Sequence, residues 1–64
     1  MHNSLNEGIR RFRLRSRINW LLDVAAKGET VARYAASRSE AAYLRSESEK
    51  YLEEAIALEV SLGE

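Results

Sequence analysis

From position 34 onward one spacing repeats without a break: Tyr34, Ser37, Ala41, Leu44, Ser48, Tyr51, Ala55, Leu58 and Leu62 alternate steps of three and four. Only an α-helix brings such residues onto one stripe, and a stripe this narrow is the seam of a helix packed on another helix. Ala and Ser alternate here with Tyr and Leu, so the neighbouring backbone is expected to approach closely. A second stripe, Val31, Ala35, Ala42, Leu52 and Ile56, widens the apolar side of the same helix.

The rest of the chain supports the same element type. Proline is absent, β-branched residues are few, and Gly28 is the one glycine in mid-chain. Ser4-Leu5-Asn6-Glu7 has the spacing of a capping box. Lys27-Gly28 has the form of a helix end, and Thr30 that of a following cap. These features predict helices over about 5–27 and 30–62, an all-α antiparallel hairpin forming a single domain over 1–64. Helix 1 bears two apolar stripes, Leu14, Ile18, Leu21, Leu22 and Ala25 on one side and Leu5, Ile9, Phe12, Ser16 and Trp20 on the other. A helix apolar on two sides is expected to lie between two neighbours.

A turn centred near Gly28 sets residue i beside roughly residue 57 − i. Arg10 and Arg17 then approach Glu47 and Glu40, and an apolar tip, Ala55 to Leu62, projects past helix 1. Such a tip calls for cover by another subunit. Size points the same way, because a 64-residue chain buries only ~60% of its unfolded surface. A core that thin supplies about 3–5 kcal/mol without staples. With no cysteine and one histidine, His2, neither disulfides nor a structural zinc site provide them. The expected object is a hairpin that dimerises into a helical bundle, with Phe12, Trp20, Tyr34, Leu44, Tyr51, Leu58 and Leu62 as interface residues.

Residues 10–17 hold half of the basic residues: Arg10, Arg11, Arg13, Arg15 and Arg17. Net charge is zero but polarised, +4 over 1–33 and −4 over 34–64. The run therefore has two candidate counterparts. One is the acidic half of the same hairpin or of a protein partner. The other is phosphate, with arginine's planar fork on the backbone and Phe12 or Trp20 stacking on a base. The neutral net charge and a pI near 6.6 weigh against the second.

The same run also alternates strictly, with Phe12, Leu14, Ser16 and Ile18 between Arg11, Arg13, Arg15 and Arg17, which is a strand period. A basic strand, a helix, Gly28-Glu29-Thr30 and a second helix resemble the ribbon-helix-helix DNA-binding family. The resemblance implies a short N-terminal ribbon with Arg11, Arg13 and Arg15 reading the major groove and Thr30 capping a phosphate-binding helix. It covers about residues 10–45. Ser16–Lys27 is about a turn shorter than that family's first helix, and helix 2 is far longer.

No catalytic constellation stands out. Glu47, Glu49, Glu53 and Glu54 have no histidine at ligand spacing, the serines have no paired base, and no glycine-rich phosphate loop occurs. The chain is therefore expected to be no enzyme, with no cofactor, metal site or small-molecule substrate. Neither a secretory signal nor a membrane span is evident, so a cytoplasmic location is expected. The leading expectation is a small adaptor, inhibitor or assembly subunit that works through protein contacts, of a size suited to phage or plasmid accessory proteins. The alternative is a dimeric nucleic-acid-binding regulator.

Overall fold

A computed structural model describes residues 4–63; His2, expected to be solvated, lies outside them. Two helices, α1 (Ser4–Arg33) and α2 (Arg38–Gly63), pack side by side as an antiparallel hairpin with Cα extents of 58 × 15 × 10 Å. Among the described residues there is no strand, so residues 10–17 are helical and the ribbon expectation does not hold. The arginine alternation is a strand period, but Arg and Leu are strong helix formers and poor strand formers, and the apolar stripes of α1 give helix a packed face.

The turn lies later than the glycine suggests. α1 runs through Gly28 to Arg33, and the chain reverses over Tyr34–Ser37. No glycine among the described residues has a positive φ, so Gly28 is not in the left-handed conformation of a helix end. It serves packing instead. A Cβ at Gly28 would overlap Ser48 Oγ on α2 and requires that hydroxyl to rotate away, so only a very small residue lets the backbones meet there. Thr30 is mid-helix too, its hydroxyl donating to the Ala26 carbonyl at 3.1 Å.

The true cap is Ser37. Its Oγ accepts from the Glu40 N–H at 3.1 Å and its carbonyl accepts from the Ala41 N–H at 3.0 Å. Ser37-Arg38-Ser39-Glu40 has the capping-box spacing, with Glu40 in the first turn. Ahead of it, Tyr34 and Ala35 N–H groups donate to Val31 and Ala32 carbonyls, which tightens the end of α1. Ser37→Ala is expected to cost about 1 kcal/mol, read as a lower urea midpoint with unchanged slope.

Moving the turn slides the two helices past each other. The contacts Arg17–Glu54, Glu29–Arg45 and Arg11–Leu62 put residue i of α1 beside roughly residue 73 − i of α2. The α2 seam is the packed stripe from Ala41 onward. Ser48, Ala55 and Leu62 are buried, with Ala41, Leu44, Tyr51 and Leu58 half-buried between them. It meets Leu14, Ile18, Leu21, Ala25, Gly28 and Ala32, a 3-4 stripe that passes straight through the glycine. Tyr34, the first expected member of the seam, instead sits exposed in the turn.

The apolar tip expected on α2 is accordingly absent, since Ala55 and Leu62 pack into the core. The overhang belongs to α1, whose first turns extend beyond Gly63. Two helices form a single layer and enclose little core. Among the described residues Leu21 is the one large side chain that is fully buried.

Candidate functional site

The helix periodicity disperses the arginine run around α1 and gives its members different tasks. Arg10 pairs with Glu7, one turn before it on the same helix, at 3.0 Å. This hydrogen bond, reinforced by the charge, holds the Glu7 carboxyl below and the Arg10 guanidinium above their ordinary pKa values. Glu7 also lies in the first turn, where a negative charge suits the helix dipole.

Arg11 reaches across to the other helix, where Nη1 donates to the Leu62 carbonyl at 3.2 Å. The last turn of α2 contains no basic residue of its own. Arg11 therefore supplies from α1 the cation that satisfies a free carbonyl and the dipole at that end. Arg17 spans the helices as well, pairing with Glu54 at 3.3 Å while its guanidinium lies over the Trp20 ring, 4.8 Å from the centroid. Trp20 meets Tyr51 edge-on at 6.1 Å and 84°. The expected partners Glu47 and Glu40 are replaced because of the register: Glu47 pairs with Lys50 instead.

Arg13 and Arg15 differ from these three. Among the described residues neither has a hydrogen-bond or ion-pair partner. At ~100° per residue they fall on opposite flanks of the side of α1 turned away from α2. Between them runs the second apolar stripe, with Leu5 74% and Phe12 71% exposed. Ile9 lines a shallow groove there with Arg10, Arg13 and Leu14. The result is an exposed aromatic-aliphatic ridge edged by cations, running from the overhang of the longer helix to the turns beside the end of α2.

Of the residues expected at an interface, Leu44, Tyr51, Leu58 and Leu62 contact α1 of the same chain, half-buried or buried. Phe12, Tyr34 and half of Trp20 remain exposed. Sequence reasoning missed the role of Arg11, which depends on the end of α2 lying beside it. No helix is long and apolar enough to cross a membrane, and no His/Cys/Asp/Glu group suited to a metal ion occurs among the described residues.

The architecture defines the class, an all-α helical hairpin. No protein-family model matches the chain, and no curated protein or solved structure matches it.

Proposed function

We infer that the chain is a small non-enzymatic contact protein, an adaptor, inhibitor or assembly subunit that engages protein through exposed helix faces. One observation carries this reading: more large apolar side chains lie on the surface than in the core. Surplus apolar area gathered on helix sides is the mark of a surface that meets another surface. The ridge Leu5, Ile9 and Phe12 fits an apolar groove, and Arg13 and Arg15 at its edges suit a carboxylate rim.

A second reading, nucleic-acid binding, is favoured by one feature, the unpaired Arg13 and Arg15 beside Phe12. Zero net charge opposes it, because phosphate binding draws on a basic field that this chain lacks.

Two measurements on the full chain separate the readings. Anisotropy titration with duplex DNA and single-stranded RNA at physiological salt is expected to give affinities no tighter than micromolar. A photo-reactive Phe12→benzoyl-phenylalanine chain, expressed in its own host, is expected to cross-link to one discrete protein, and Leu5→Glu to abolish that product. A submicromolar, steeply salt-dependent affinity that Arg13→Ala with Arg15→Ala flattens would establish nucleic-acid binding instead.

A further inference from the structure

One broad side of the hairpin carries a symmetric pattern. Leu22 and Leu52 are 39% and 42% exposed and line the same groove between the helices, together with Glu29 and Arg45. Leu22 also lines the adjoining groove toward the open end, with Arg15 and Glu59. These six residues therefore share one side, and their spacing is regular. On α1, Arg15 precedes Leu22 by two turns and Glu29 follows it by two turns. On α2, Arg45 precedes Leu52 by two turns and Glu59 follows it by two turns.

The register makes Leu22 and Leu52 level with each other, Arg15 level with Glu59, and Glu29 level with Arg45. Two turns from the leucines the apolar centre is thus flanked at each end by one positive and one negative residue, with the signs exchanged between the two ends; Arg11 and Glu49 line the same two grooves. Turning a second copy end over end about an axis through Leu22 and Leu52 superposes each of these four flanking charges on one of opposite sign. Arg15 then faces the second copy's Glu29, and Glu59 faces the second copy's Arg45. The Glu29–Arg45 bridge, 3.2 Å within the chain, becomes half of a four-charge cluster at either end. Ile56, one turn from Leu52 and 53% exposed, extends the apolar centre.

We propose that this side is a self-docking surface, on which two copies pack antiparallel about a two-fold axis through Leu22 and Leu52 to form a four-helix bundle. An isologous contact needs a self-complementary patch, and the charge pattern is one. Docking would give the half-exposed leucines the second layer that a hairpin lacks. It would leave Phe12 and Arg13, which lie off this side of α1, outside the contact. The proposal rests on the reading of the chain as a contact protein and names one of its partners as itself.

Sedimentation velocity and light scattering at low micromolar concentration test it. The expected mass is twice the 7.3 kDa of the chain. Leu22→Glu with Leu52→Glu is expected to weaken association on the order of 100-fold or more, giving monomer. Neither side chain belongs to the buried core, and circular dichroism checks that the hairpin persists. The chain has no cysteine, so Leu22→Cys carries a unique thiol. A short bismaleimide is expected to link it to its own kind efficiently, whereas Leu22→Cys mixed with Leu52→Cys should give little mixed product. A wild-type monomer of full helicity overturns the proposal. Predominant mixed cross-linking overturns the antiparallel arrangement. In neither case is the Phe12 cross-linking result affected, so failure here stays separate from failure of the contact reading.

Discussion

Leu21→Ala is expected to leave the chain largely unfolded at room temperature. Leu21 has no exposed surface and lies at the centre of the core cluster with Ile18, Ala55 and Leu62. Truncating such a leucine removes its transfer free energy and leaves a cavity, together ~2–5 kcal/mol. A single small core of this kind supplies only about 3–5 kcal/mol in total. The loss is therefore comparable to everything the hairpin holds, and one substitution suffices. Circular dichroism at 222 nm and a urea titration read the outcome. Val31→Ala, at a position 54% exposed on the same helix, is expected to change stability by less than ~0.5 kcal/mol. A cooperative wild-type-like melt for Leu21→Ala would mean that the core is elsewhere.

The second large effect is expected at Gly28. Gly28→Leu must push α2 away where Ser48 and the Leu44 carbonyl approach, and overpacking of a tight contact costs ~1–3 kcal/mol. Gly28→Ala is different. Its first obstacle is the Ser48 hydroxyl, which rotates, while the Ser48 Cβ stands 3.4 Å away, a tight but tolerable contact. Alanine also gains ~1 kcal/mol in helix propensity over glycine. Gly28→Ala is therefore expected near neutral and Gly28→Leu strongly destabilising. Ser48→Ala serves as the control for the other side of the contact: its hydroxyl is buried with no hydrogen-bond partner among the described residues, so removing it is expected to cost nothing and to stabilise slightly. Equal damage from Gly28→Ala and Gly28→Leu in thermal melts would point to a left-handed glycine and a turn at that position.

Those two sites also mark how far the sequence could be read. Pairing of two helices was legible because the α2 stripe from Ala41 to Leu62 and the α1 stripe from Leu14 to Ala25 are local patterns. The position of the turn was not. Lys27-Gly28 followed by Thr30 has every local feature of a helix end, and Ser37-Arg38-Ser39-Glu40 has the features of a helix start. The choice depends on what faces Gly28 from 20 residues away, which no local pattern contains. One available clue favoured the later turn: the stripe Leu14, Ile18, Leu21, Ala25, Gly28, Ala32 is unbroken.

Each residue by which a hairpin turn moves slides the partner helix by two, so the later turn takes Glu47 and Glu40 away from Arg10 and Arg17 and moves the overhang from α2 to α1. Surplus apolar surface, by contrast, could be read from composition and stripe count alone.

The bond from Arg11 to the Leu62 carbonyl joins groups 51 residues apart, and it has a consequence for the order in which the hairpin assembles. A hairpin closes most cheaply from its turn, because short loops form first and each later contact then closes only a small additional gap. Zipping from Ser37 outward makes the Arg11 clasp the last event of folding and the first to be undone. Amide exchange should accordingly quicken from the turn toward the open end, and the arm bearing Leu5 and Phe12 spends the most time released. The segment with the most uncovered apolar surface is thus also the one whose opening disturbs the rest of the molecule least.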